Sequence, residues 1–142
     1  MSHASKEPQR IYDLLRKKWL KSTPEELVRQ NLIQWMVQSK GYPLALLSTE
    51  KKISSCHRRF DIACFKPNPK IGDAHSILLL IECKANPLKR EDLHQLYGYN
   101  HQIKAPCLSL CSPKGIYYSY NSCNQWKAGL PSYQELLKHL DF

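Results

Sequence analysis

The chain has 142 residues, with 21 Lys and Arg against 12 Asp and Glu and a formal net charge of +9. That length suits one domain spanning residues 1–142, able to bury about two-thirds of its unfolded surface without a disulfide staple, and the charge favours a polyanionic partner through steering and counterion release, although a generic basic surface gives the same balance. No apolar run reaches the roughly 20 residues of a membrane span, and Met1-Ser2-His3-Ala4-Ser5-Lys6 lacks the apolar core of a signal peptide, so the sequence predicts a cytoplasmic protein without membrane association, residues 1–9 forming a disordered tail.

In chain order, Arg10 to Leu20 place Ile11, Leu14, Leu15 and Trp19 at helical spacing with Arg16, Lys17, Lys18 and Lys21 among or just beyond them, which predicts a basic amphipathic helix. Ser22-Thr23-Pro24-Glu25-Glu26 then supplies an N-cap, a first-turn proline and early acids, so a second helix is expected to run to about Lys40 and end at Gly41. Val28, Leu32, Trp35 and Met36 form its apolar stripe, and Glu26, Arg29, Gln30 and Ile33 share a neighbouring face. Two roles fit Glu26 there: a bond to Arg29, or contact with a metal through water. Leu44–Leu47 with Lys51–Ser54 read as one bent or interrupted strand, and Glu50 beside them as a solvated strand residue or a spare ligand.

Phe60 to Phe65 read as the next strand, with Asp61 near its start, and Lys66 to Asp73 as a loop rich in proline, asparagine and glycine. Ile77 to Ile81 is too short for a helix and too continuous for a half-exposed strand, so a buried strand through Cys83 is expected. Asn86-Pro87 opens a helix through about Ile103, with Leu88, Leu96, Tyr99 and Ile103 available for packing. His94 and His101 on it are surface residues, seven apart and too far to share a metal. Cys107–Cys111 and Ile116–Tyr120 form two further strands, and Pro131-Ser132-Tyr133 starts a closing helix. The six cysteines show no Cys-x-x-Cys pair, and Cys107 and Cys111 would stand about 13 Å apart on a strand. Free, mostly buried thiols in a reducing compartment are expected.

The chemistry concentrates in Glu82-Cys83-Lys84. Side chains two apart on a strand share a face at roughly 7 Å, so Glu82 and Lys84 point one way and Cys83 into the opposite layer. A hairpin partner strand carrying Asp61 would bring a second carboxylate beside Glu82. Charges at the end of an apolar strand need partners, and a divalent cation plus a phosphate would serve both signs. One or two carboxylates, completed by waters and substrate oxygens, suit Mg²⁺. An ordinary strand end reaching solvent is the plain alternative, because Glu-x-Lys is frequent by chance.

Six segments in order carry a wider resemblance: Ile11-Tyr12-Asp13, Thr23-Pro24-Glu25-Glu26-Leu27-Val28-Arg29-Gln30, Gly41-Tyr42-Pro43, Arg59-Phe60-Asp61-Ile62, Ile81-Glu82-Cys83-Lys84 and Gln95-Leu96-Tyr97-Gly98-Tyr99-Asn100. From about Arg10 to Leu140 the chain resembles the PD-(D/E)xK nuclease superfamily, and within it the N-terminal nuclease domain of type I restriction enzyme R subunits. The resemblance implies an α/β or α+β, restriction-endonuclease-like fold with a central mixed sheet flanked by helices. It implies Mg²⁺-dependent DNA endonuclease activity, with Mn²⁺ as a substitute cation, in restriction or defence, and other restriction-system subunits as partners. Asp61 and Glu82 would bind metal, Lys84 would assist the chemistry, Gln95 and Tyr99 would form a Gln-x-x-x-Tyr element, and the first helix would add an acid, Glu26 or Glu25. Arg16, Lys17 and Lys18, with Arg29 and Gln30, are the expected DNA contacts. Leu14 replaces the proline usual in the N-terminal motif, and Ser112-Pro113-Lys114-Gly115 replaces an expected Thr-Asn-Gly turn. The sequence stops near Phe142, before the helicase motor of such R subunits, so no translocation by this chain alone is expected. The rival reading is a non-cleaving DNA-binding module, or a subunit active only inside a restriction complex.

Overall fold

The computed structural model describes residues 9–49, 52–53, 56–67, 76–120 and 125–141. The N-terminal tail and Glu50 lie outside the described residues. A six-stranded mixed sheet has the order β10-β9-β8-β7-β6-β3, built from β3 (Leu47–Ser48), β6 (Ile62–Phe65), β7 (Ile77–Cys83), β8 (Cys107–Ser112), β9 (Gly115–Tyr120) and β10 (Lys127–Ala128). Among the described residues only the β7–β8 pair is parallel, as expected of two strands joined by a helical crossover, here α2 (Arg90–Ile103). Helices α1 (Pro24–Ser39) and α3 (Tyr133–His139) complete an α+β fold. β4 (Lys52–Ile53) and β5 (Cys56–Arg59) form a separate two-stranded sheet.

The core is split by the sheet. Leu32, Ile33 and Met36 of α1 and Leu136 of α3 bury against Ile62, Cys64, Leu79, Ile81, Cys83, Cys107 and Cys111. Leu96 and Ile103 of α2 bury with Phe60, Ala63, Ile77, Leu80 and Leu108 in a second cluster. β7 is buried along its whole length, as its unbroken apolar run requires. A register irregularity opposite Cys64 and Phe65 lets Leu78 and Leu79 join the same cluster before alternation resumes at Leu80. Cys64, Cys83, Cys107 and Cys111 are free and buried, and burial pushes the Cys64 and Cys107 thiols up to about 12.

α1 starts where its cap signals predict. The Thr23 side chain accepts from the Glu26 N–H at 3.1 Å, and Pro24 occupies the first turn. It ends at Gly41, whose φ of 73° suits the left-handed turn in which the Tyr42 N–H reaches the Met36 carbonyl at 3.1 Å. Among the described residues, no helix is long and apolar enough to cross a membrane.

Three sequence expectations are corrected. Arg10 to Leu20 is not a helix but a hairpin of β1 (Arg10–Asp13) and β2 (Lys18–Lys21). Asp13 supplies the reason: its buried carboxylate accepts from the N–H groups of Leu15 at 2.9 Å and Arg16 at 3.2 Å, a local turn that competes with helix. Lys17 closes the turn in a left-handed conformation with φ 53°. The helix-like spacing of Ile11, Leu14 and Leu15 is thus one strand residue plus two loop residues tucked against the core. The expected bent strand is split, since Leu44–Leu46 form a 3-10 turn, β3 joins the main sheet and β4 pairs elsewhere. The expected strand Phe60–Phe65 is present as β6, which starts at Ile62, and β5 before it is an additional short strand. α2 begins at Arg90 rather than Asn86, because the Asp92 carboxylate accepts from the Lys89 N–H at 2.8 Å and sets the first turn there. The short β10 went unforeseen.

Candidate active site

Asp61 stands one residue before β6. Continuing the Ile62↔Ile81 register of the antiparallel β6–β7 pair sets it opposite Glu82, and this pairing brings two distant carboxylates together. One Asp61 oxygen, Oδ2, accepts from the Cys83 backbone N–H at 2.8 Å. The other, Oδ1, accepts from Arg29 Nη2 at 3.2 Å. Asp61 is therefore fixed by the very peptide that lies between Glu82 and Lys84.

Glu82, one residue before the end of β7, has only 8 % of its surface exposed. Its Oε2 is buried without a hydrogen-bond partner among the described residues, while Oε1 lies 3.7 Å from Lys84 Nζ. Burial raises its pKa to about 8, helped by the charge of Asp61 and direct interaction with its carboxyl; Lys84 opposes this and Glu25 adds to it. A buried carboxylate so placed is short of one positive neighbour.

Lys84 leaves the strand on the same side as Glu82, with its backbone N–H held by the Cys111 carbonyl at 2.8 Å. Its ammonium bridges Glu82 and Asp92, the latter at 3.8 Å. Cys83 packs in the opposite layer, as the strand alternation requires. A cleft of about 230 Å³ opens beside Lys84, bounded by Glu25, Asn86, Pro87, Lys89 and Asp92.

The rest of the site is an ionic chain. Glu26 Oε2 meets Arg29 Nη1 at 2.7 Å, and Glu26 Oε1 meets Arg16 Nη2 at 3.3 Å and Gln30 Nε2 at 3.4 Å. Arg16 also pairs with Asp13, so charge alternates from Asp13 through Arg16, Glu26 and Arg29 to Asp61. Burial raises the Asp13 pKa, but Arg16 and the N–H groups of Arg16 and Leu15 outweigh that and hold it below the ordinary value. Of the two roles open to Glu26, the bond to Arg29 is present.

Arg29 and Gln30, expected as DNA contacts, are buried among these carboxylates, and Arg16 is half-buried in the same chain. Lys17 and Lys18 are exposed, on the hairpin loop and the start of β2. Glu25 is exposed at the cleft. Gln95 is exposed on α2 and Tyr99 is half-buried against the second core cluster; three- and four-residue spacing puts Asp92, Gln95 and Tyr99 on one stripe leading away from Lys84. Sequence reasoning missed Asp92, which Lys89 N–H capping could have flagged, and missed that Asp13 anchors the chain of charges.

Among the described residues, no group of three or more His, Cys, Asp and Glu is placed to hold a metal. The pair Asp61 and Glu82 fits a cation that keeps most of its waters, and the orphaned Glu82 oxygen is the place where one would be welcome.

A mixed sheet flanked by helices, with these carboxylates and this lysine where β6 begins and β7 ends, defines a restriction-endonuclease-like α+β protein. The family model of the type I restriction enzyme R protein N terminus (HSDR_N) matches residues 24–126, and the chain belongs to that family. Neither a curated protein nor a solved structure matches it.

Proposed function

We propose that this chain is a Mg²⁺-dependent DNA endonuclease of a restriction or defence system. The observation that carries the reading is the Asp61–Glu82 pair with Lys84 on the same side: two carboxylates from adjacent strands, one with an unsatisfied buried oxygen, and one ammonium. Asp61 and Glu82 would hold the cation, which when bound supplies Lewis-acid polarisation of the phosphate and a more acidic water. Arg29 and the Cys83 N–H keep the Asp61 carboxylate oriented, and Glu26 keeps Arg29 in place. Lys84, loosely held at 3.7 and 3.8 Å by two carboxylates, is free to swing toward a phosphate oxygen or to orient the water. Gln95 and Tyr99 would extend the contact surface along α2.

One observation favours the rival reading of a non-cleaving or complex-dependent module: Arg29 already pairs with Asp61 as well as with Glu26, which lowers the need for a cation. Incubation of plasmid DNA with Mg²⁺ or Mn²⁺ separates the two. Cleavage by the wild type that disappears in Asp61→Asn and Lys84→Ala supports the enzyme; DNA binding without such cleavage supports the module.

A further inference from the structure

The hairpin β1–β2 lies before the segment matched to the family, and it carries an unusual outer face. Tyr12 pairs with Trp19 and Arg10 with Lys21 across the two strands. Alternate residues share a face, so these four lie together, while Ile11, Asp13, Lys18 and Leu20 occupy the other side. That other side is the inward one: Asp13 is fully buried, and Ile11 and Leu20 are half-buried. The outer face is open, with Trp19 63 % and Tyr12 40 % exposed and Arg10 and Lys21 both in solvent. The rings contact edge to face with centroids 5.3 Å apart. Lys17 adds positive charge at the loop end, Lys18 is exposed on the Asp13 side, and the hairpin's one acid, Asp13, is hidden beneath.

Two exposed aromatic rings bordered by cations match the chemistry of unpaired nucleotides, whose bases present a π-face and whose phosphates are anionic. A fully paired duplex hides those π-faces. We propose that the outer face of the hairpin is a stacking platform for unpaired nucleotides of DNA, with Tyr12 and Trp19 holding bases and Arg10 and Lys21 holding the adjoining phosphates. The platform rests on the nuclease reading for the identity of the polymer. Its place in the machinery follows from Asp13, whose side chain both shapes the hairpin loop and starts the ionic chain that ends at Asp61.

The test compares the full chain with Trp19→Ala, Tyr12→Ala and Trp19→Phe on a dye-labelled single-stranded oligonucleotide and on a blunt duplex of equal length. The wild type is expected to bind the single strand with quenching of tryptophan emission. Trp19→Ala is expected to abolish that quenching and weaken single-strand binding about tenfold, Trp19→Phe to retain most of the affinity, and duplex binding to change less than about twofold. Joint replacement of Arg10 and Lys21 by Ala is expected to lower the salt slope for the single strand by about 1.4. Unaltered single-strand binding in both alanine variants overturns the platform alone, as does an equal loss on both DNAs or quenching by anionic phospholipid vesicles with none by oligonucleotide. Binding of neither DNA by the wild type overturns the nuclease reading as well.

Discussion

The Asp61 carboxylate accepts its shortest hydrogen bond, 2.8 Å, from the backbone N–H of Cys83, so the position of one acid is set by the peptide that joins Glu82 to Lys84. A shift of β6 against β7 would therefore misplace all three groups at once. Asp61→Asn keeps an oxygen for that N–H but turns an amide toward Arg29 and removes a charge the cation needs. Cleavage is expected to fall at least a hundredfold, and stability by about 1–3 kcal/mol, because Arg29 retains Glu26 as a partner. Nuclease assays and urea unfolding measure the two effects; a variant that cuts DNA like the wild type removes Asp61 from the chemistry.

Lys84→Ala tests the ammonium separately. Lys84 is one cation among many on a chain of net charge +9, so DNA affinity is expected to stay within about threefold while cleavage is lost. A parallel fall in binding and cleavage would make Lys84 a phosphate anchor and nothing more.

Much of this arrangement was legible because it follows local rules. The run Ile77–Ile81 announced β7, and strand alternation then fixed Glu82 and Lys84 on one side with Cys83 on the other. The caps of α1 were equally plain in Thr23, Pro24 and Gly41. The hairpin was not, because Asp13 overrides a helical spacing through bonds that depend on its burial under α1. Asp92 as a Lys84 partner was hidden for a similar reason: the two residues meet only once the start of α2 is folded against the end of β7. Arg29 and Gln30 looked like surface DNA contacts, and only tertiary packing shows their charge and amide turned inward.

Glu82 gives the site a pH dependence. Its folded pKa is about 8 against an ordinary value of 4.5, so between these pH values the folded state holds a proton the unfolded chain has released. Its contribution to stability is full below pH 4.5 and lost as pH rises toward 8, by up to tenfold in the folding constant per pH unit. Glu82→Gln is expected to remove this slope and to be the more stable protein at pH 8. A cation must displace the same proton, so Mg²⁺ affinity is expected to rise with pH and level off above about 8, with up to one proton released per ion bound below that. Calorimetry in two buffers of different ionisation heat measures that release. No proton release at pH 6.5 together with undiminished Mg²⁺ affinity would take Glu82 out of the cation site.

Asp13 has the opposite sign. Its folded pKa lies below the ordinary value of 3.8, so its contribution is present above that value and lost as pH falls through the lower, folded one. Asp13→Ala leaves the N–H groups of Leu15 and Arg16 without their acceptor and takes one carboxylate partner from the Arg16 guanidinium. A cost of about 2–4 kcal/mol at neutral pH is expected from these losses. The gap from wild type should narrow in acid below the ordinary carboxyl range, since the wild-type carboxylate then takes up a proton too. Cleavage is expected to weaken less than in Asp61→Asn, because Arg16 keeps Glu26 and Arg29 still holds Asp61. Chemical unfolding at pH 7 and in acid, paired with a cleavage assay, checks both parts: an equal stability gap at the two pH values would mean that Asp13 acts by packing alone, and a cleavage loss matching that of Asp61→Asn would mean that the whole ionic chain belongs to the reacting site.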